Sequence, residues 1–210
     1  MRRAVVKIGG STAGAAELDT WISALAGSSL PLVIVPGGGP FADQVRDAQK
    51  RMGFSDKAAH AMAILAMEQF GYVIIDRHER LVPARSVAEI EQALEHEKIP
   101  VWLPSPMALS ATDIPVSWDI TSDSLAAWLA EKIGAEALLL IKQSDAFGSG
   151  DSIASLTDNG IVDAAFASML PANVDFHLAG PRDAATASAT LGAGRLPGQK
   201  MAVRAMKKTG

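Results

Sequence analysis

The sequence predicts an α/β fold with a largely parallel sheet covered on both faces. Three observations carry that prediction. Short uninterrupted apolar runs have strand length, amphipathic helical stretches separate them, and glycine-rich turns close the runs. The 210 residues are expected to form one domain, 1–210, with a single continuous core.

Val5 to Ile8 reads as a buried strand ended by Gly9-Gly10. A helix is expected from about Ala15 to Ala26, because Leu18, Trp21, Ile22 and Leu25 share one face and Gly27 supplies a stop. Leu32 to Val35 is a second buried strand, ending in Pro36-Gly37-Gly38-Gly39. Pro40 suits the first turn of a helix carrying Phe41, Val45, Ala48 and Met52 on one side, closed by Gly53.

Ser55 caps the next helix, which is expected to run towards Phe70. Tyr72 to Ile75 has strand composition, with Leu81-Val82 as a small hairpin beside it. Ser86-Val87-Ala88-Glu89 has capping-box form ahead of Ile90, Ala93 and Leu94. Ile99 to Leu103 is a strand, Thr121 to about Ile133 an amphipathic helix, Ala137 to Ile141 a strand, and Val174 to Leu178 another. Two long polar segments, Pro104 to Ser117 and Gln143 to Gly160, have the length of functional loops. Arg204 to Gly210, with Lys207 and Lys208, reads as a loose basic end.

Composition narrows the function. A net charge of −4 gives no basic footprint for nucleic acid, so phosphate binding requires a locally concentrated cationic site. With no cysteine, disulfides, thiolate metal sites and cysteine nucleophiles are excluded. The apolar run after Met1-Arg2-Arg3 is too short for a signal peptide or a membrane span, which makes cytoplasmic residence the expectation and a membrane partner not expected.

Four motifs carry chemistry. Lys7-Ile8-Gly9-Gly10-Ser11 ends the first strand, where turn N–H groups can cradle phosphate and Lys7 adds a point charge. The alternative is a plain strand-to-helix turn. Gly37-Gly38-Gly39 exceeds what a tight turn needs and suggests backbone contact with an anion. Gly37, Gly39 and Ala42 also fit G-x-G-x-x-A, but Asp56, at the offset of the ribose-binding acid, opens a helix instead of ending a strand. Asp119 and Asp123 bracket a helix start that Thr121 or Ser122 can cap; Asp123 is either helix-end decoration or the holder of Lys7. Lys142 follows a buried strand and precedes a polar loop, which suits a nucleotide site. P-loop and nucleophile-elbow motifs are lacking, and His60, His78, His96 and His177 have no metal-ligand spacing.

In order and spacing, these motifs resemble the amino-acid kinase superfamily, which includes aspartokinase, acetylglutamate kinase, bacterial uridylate kinase and isopentenyl phosphate kinase. The resemblance rests on K-I-G-G-S at Lys7–Ser11, V-P-G-G-G at Val35–Gly39, D-I-T-S-D at Asp119–Asp123, and L-L-L-I-K ending at Lys142. It implies a three-layer αβα sandwich with the site along the carboxyl edge of the sheet. It implies catalysis by Lys7 and Asp123, with Lys7 neutralising the transferring phosphoryl group and Asp123 orienting it. ATP, with Mg²⁺, would be bound by Lys7, Gly9, Gly10, Ser11, Lys142 and Asp145. The acceptor would lie against Gly37, Gly38, Gly39, Asp119 and Thr121. Dimers or hexamers are common in the superfamily, implying a homo-oligomer.

The segments Ser55–Met67 and Ser117–Asp123 are similar to aminomethylfuran phosphate kinases of methanofuran biosynthesis. That resemblance implies a small phosphate ester as substrate, converted to its diphosphate, with Asp56 and His60 facing the acceptor. Uridylate kinase-like activity and a non-catalytic nucleotide-binding protein are the alternatives. The chain departs from the superfamily after Lys142. Gln143-Ser144-Asp145-Ala146-Phe147 replaces a V-D-G-V type run, and Gly160–Phe166 looks like the uridylate-kinase type of C-terminal half. The motifs do not place a second phosphate-binding lysine.

Overall fold

The computed structural model describes residues 3–202. The predicted basic end, Arg204 to Gly210, lies outside the described residues. Seven strands form one sheet: β1 (Ala4–Ile8), β2 (Leu32–Pro36), β3 (Leu81–Ala84), β4 (Ile99–Trp102), β5 (Ala137–Ile141), β6 (Asp175–Ala179) and β7 (Gln199–Lys200). Their spatial order is β3-β4-β2-β1-β5-β6-β7, parallel except for β7 against β6. The strand β1 is central, with β2 leaving to one side and β5 to the other. Ligands of open α/β sheets bind at the carboxyl ends of strands where the winding direction changes.

Strand parity divides the core into two layers, because successive side chains point to opposite faces. Val5, Val33, Val35, Leu138, Leu140, Phe176 and Leu178 face one apolar cluster. Val6, Ile8, Ile34, Leu139 and Ile141 face the other. The first cluster is covered by α4 (Val87–Glu95), α6 (Ser122–Lys132) and α8 (Phe166–Met169), the second by α1 (Leu18–Ala26) and α9 (Ala184–Gly192). This is the three-layer αβα sandwich. Leu125 and Leu129 anchor α6, each contributing about 1.5–3 kcal/mol on burial.

The helix α2 (Gly39–Met52) packs on α3 (Asp56–Ile75) through a separate small cluster of Ala42, Val45, Ala59 and Ala66. Met52, predicted on the buried side, is the last residue of α2 and is 76% exposed. Ser55 does cap α3, its Oγ accepting the Ala58 N–H. The predicted strand Tyr72–Ile75 is instead the last turn of α3. The helix stays intact there because Gly71 sits tightly against Leu103 and Pro36, while Phe70 and Ile74 are buried. Leu81-Val82 forms no hairpin; it belongs to β3, which runs parallel to β4.

Among the described residues, α3 alone is long and apolar enough to cross a membrane, and here it packs against α2 and the β2–β4 side of the sheet. The Ser86 capping box is rearranged. Ser86 Oγ accepts the Glu89 N–H, but Glu89 Oε2 accepts from Arg85 N. The two polar segments contain short helices, α5 (Ser105–Ala108) and α7 (Ile153–Asp158).

Candidate active site

Register brings the first two cationic groups together. Lys7 in β1 pairs with Leu140 in β5, so Lys142 lies two residues further on, on the same face. That face is covered by α6, whose first turn carries Asp123. The Lys7 ammonium lies 2.8 Å from Asp123 Oδ1, and the Lys142 ammonium 2.5 Å from Oδ2. All three groups are largely removed from solvent, with side-chain exposures of 6%, 5% and 13% for Lys7, Asp123 and Lys142.

One carboxylate thus holds two lysines, leaving a buried net positive charge at the carboxyl edge of the sheet. Burial pushes the Asp123 carboxyl up, but the charges of Lys7 and Lys142 outweigh it and hold the group below the usual carboxylate range. Burial, then the neighbouring Lys7 charge, pull Lys142 down to about 8 against the opposing attraction of Asp123. Such an uncompensated charge is satisfied by an incoming polyanion.

Asp163 was not singled out from the sequence, yet it sets the start of α6. Its carboxylate accepts from Thr121 N at 2.9 Å, Thr121 Oγ1 at 2.7 Å, Ser124 N at 3.0 Å and the Ser124 hydroxyl. A carboxylate at a helix N-terminus satisfies orphan donors and complements the dipole. It therefore holds in place the turn that carries Asp123. Its only sequence signal was its position in the Gly160–Phe166 stretch.

The two glycine turns interlock. A Cβ on Gly10 would collide with Gly39 N, and one on Gly37 with Gly10 N, so the loops touch backbone to backbone. Gly9 N donates to Ile141 O and Gly37 N to Ile8 O, both at 2.9 Å. Those two N–H groups extend the sheet and are unavailable to a ligand. Gly10, Ser11, Gly38 and Gly39 line the cleft, the last two at the start of α2, where first-turn donors have no intrahelical partner.

The cleft has a volume of about 470 Å³ and joins these glycines to Lys7, Asp123 and Lys142. Asp43, Arg46, His60, Met67, Trp118 and Thr121 also line it. Burial pushes the His60 imidazole below its ordinary value, although a hydrogen bond to the Ser117 backbone opposes this, so His60 is neutral at pH 7. The Arg46 guanidinium sits 4.8 Å above the Trp118 ring and 3.0 Å from Asp43. Neither Arg46 nor Trp118 was identified as a site residue from sequence. They are 72 positions apart, and no local pattern links them.

Besides Gly9 and Gly37, three predicted residues, Asp56, Asp119 and Asp145, lie off the cleft wall. Asp56 is exposed and accepts from Gln49 Nε2 at 2.8 Å, and Asp119 is exposed and accepts from Ser117 Oγ at 2.9 Å. Asp145 faces the loop after β6, 3.5 Å from Arg182. Among the described residues, no group of three or more His, Asp or Glu side chains is placed to hold a metal.

Residues 2–154 match the profile of the Amino acid kinase family. The chain belongs to that family. Among its relatives is the [5-(aminomethyl)furan-3-yl]methyl phosphate kinase of Methanocaldococcus jannaschii, 31% identical over 143 residues. The match covers 67% of this chain and 66% of that protein, just under two thirds of the relative's length.

Solved structures of the same family fold are similar at lower identity. The uridylate kinase of Archaeoglobus fulgidus superposes with a TM-score of 0.68 at 16% identity, covering 96% of this chain and all of that one. The UMP kinase of Bacillus anthracis gives 0.69 at 13% identity, covering 97% of each chain. These likenesses establish the amino-acid kinase fold and leave the substrate to the site itself.

Proposed function

We propose that this amino-acid kinase family member transfers the γ-phosphoryl group of ATP to a small phosphate monoester, an aminomethylfuran phosphate being the specific acceptor. The observation that carries the reading is the buried Lys7–Asp123–Lys142 cluster beside two interlocked glycine turns. Phosphoryl transfer requires positioning and charge stabilisation more than covalent chemistry. Lys7 and Lys142 present positive charge to the transferring group, and Asp123 fixes both ammonium groups. Gly10 and Ser11 serve the ATP phosphates; Gly38 and Gly39 serve the acceptor.

An acceptor phosphate is already an oxyanion. Its oxygen attacks the γ-phosphorus, the bond to the β-phosphate oxygen breaks, and ADP leaves without any proton being removed. The arrangement suits such a substrate, because Asp123 is committed to two lysines and is not a free base. For the same reason, the residues present do not form a protein-ligated Mg²⁺ site; the ion would arrive held by the nucleotide's phosphates. The 31% identical relative, whose name specifies a furan phosphate, supports this acceptor.

The deciding experiment follows ADP release with Mg²⁺·ATP and [5-(aminomethyl)furan-3-yl]methyl phosphate, UMP or the parent furan alcohol. Turnover on the furan phosphate is expected. Turnover on UMP alone would overturn the acceptor, and ATP binding without transfer to any ester would leave a nucleotide-binding protein.

The pKa of Lys142 gives this reading a pH signature. With a value of about 8, Lys142 loses its charge as pH rises through that value. The kcat/KM for ATP is expected to decline above about pH 8. In Lys142→Arg, whose guanidinium remains protonated, that decline should disappear. A flat wild-type profile through this range would remove Lys142 from phosphate binding.

We place the reaction in the cytoplasm, where ATP is regenerated, and propose a homo-oligomer. Met62, Leu65 and Tyr72 are 39%, 45% and 50% exposed along one stripe of α3. An isologous contact between two copies would cover that stripe. Light scattering should give at least a dimer, and Leu65→Lys should shift it towards monomer; a monomeric wild type would reject the interface.

A further inference from the structure

The cleft has a third cation, and the Lys7–Asp123–Lys142 cluster does not use it. Arg46 lies in the second turn of α2, ~10 Å along the helix from its glycine start, with a side chain 46% exposed. An exposed arginine ordinarily samples many rotamers. This one is held. Its Nη1 donates to Asp43 Oδ1 at 3.0 Å, and its guanidinium lies 4.8 Å over the Trp118 ring.

Trp118 is fixed in turn. Its Nε1 donates to Gln49 Oε1 at 2.9 Å, and Gln49 Nε2 donates to Asp56 at 2.8 Å and to Phe54 O at 3.3 Å. This relay ties α2, the start of α3 and the loop before α6 to one guanidinium. An exposed i,i+3 ion pair contributes little to stability, so the Asp43 contact alone does not account for the relay. A planar guanidinium carries five donors, and Asp43 engages only one nitrogen. The rest can face the cleft that Arg46 lines.

We infer that Arg46 reads the phosphate already present on the acceptor. Its remaining donors take the two non-attacking oxygens, while Gln49 and Trp118 are positioning residues that hold the guanidinium plane. The inference rests on the phosphate-monoester kinase reading and adds how that acceptor is told from its alcohol. It also reassigns Asp56, which acts through Gln49 and not on the substrate directly.

Kinetics with the furan phosphate and its parent alcohol, alongside calorimetric titration with phenyl phosphate, test the inference. Arg46→Ala is expected to raise the acceptor KM by roughly 10- to 100-fold, the range for hydrogen bonds to a charged group. The KM for Mg²⁺·ATP should not follow, and the preference for ester over alcohol should collapse. Arg46→Lys should recover part of the loss, since it restores charge without the fork. Gln49→Leu, which frees the indole, should raise the acceptor KM in the same direction and by less.

An unchanged acceptor KM in Arg46→Ala, or an equal rise in the KM for ATP, would overturn the assignment. If the wild type transfers phosphate to no acceptor, the kinase reading fails and the phenyl phosphate titration still decides the fate of Arg46. Weakened binding in Arg46→Ala upholds it; equal binding rejects it.

Discussion

Lys7→Ala is expected to lower kcat by roughly 10²–10³-fold, the cost of removing a preorganised group aimed at developing transition-state charge. Its effect on the KM for ATP should be smaller, because Gly10, Ser11 and Lys142 still line the cleft. The fold should persist, since Asp123 keeps its contact with Lys142 and no charge is left unpaired. A second consequence separates electrostatics from simple loss of packing. Lys7 is one of the two causes that depress Lys142, so its removal should raise the Lys142 pKa above about 8. The basic decline of the residual activity should therefore move to higher pH. Near-normal turnover would refute the role of Lys7. Low turnover with an unmoved basic limb would refute the coupling between the two lysines.

That coupling was only partly legible in the sequence. Lys7, Asp123 and Lys142 were each visible as a polar residue at the end of an apolar element. Their convergence depended on register. Once β1 and β5 are known to be parallel with Lys7 opposite Leu140, the two-residue period puts both lysines under α6. The apolar runs did not reveal which strands are neighbours, because buried parallel strands look alike. Long-range side-chain contacts were beyond reach for the same reason. Arg46 over Trp118 and Asp163 beneath Thr121 each join distant segments, and no periodicity encodes them.

Local composition misled where tertiary packing overrode it. Tyr72-Val73-Ile74-Ile75 has strand composition, but it is the end of a helix whose Gly71 nests against Leu103 and Pro36. Losing that strand also changed its supposed hairpin partner, which became the parallel edge strand β3. Ala184, Ala187 and Leu191 mark the buried side of α9, but two alanines and a single leucine gave too faint a stripe to read. The glycine turns were legible as features, while which of their N–H groups bond within the sheet was not. Gly9 and Gly37 bond across the sheet, and Gly10 and Gly37 let the turns touch.

Asp123→Asn tests the other side of the cluster. It keeps the shape of the side chain and removes the negative charge that offsets two buried ammonium groups. Breaking a buried ion pair by deleting one partner costs about 3–5 kcal/mol. In a chain of this size, that should lower Tm by roughly 6–20 °C. The pH dependence fixes the cause. The Asp123 carboxyl is held at about 2, below its ordinary value of 3.8, so its stabilisation is present above that ordinary value and lost as pH falls towards 2. At the other end, Lys142 sheds its proton from about 8 and then no longer needs the carboxylate. The stability gap between wild type and Asp123→Asn should therefore be widest between about pH 4 and 8 and narrow on both sides. Mg²⁺·ATP supplies the missing negative charge, so a saturating concentration should raise the Tm of any variant that still binds it, by mass action. A gap of constant size across pH would mean that Asp123 acts through packing alone, and the buried charge cluster would cease to be the basis of the site.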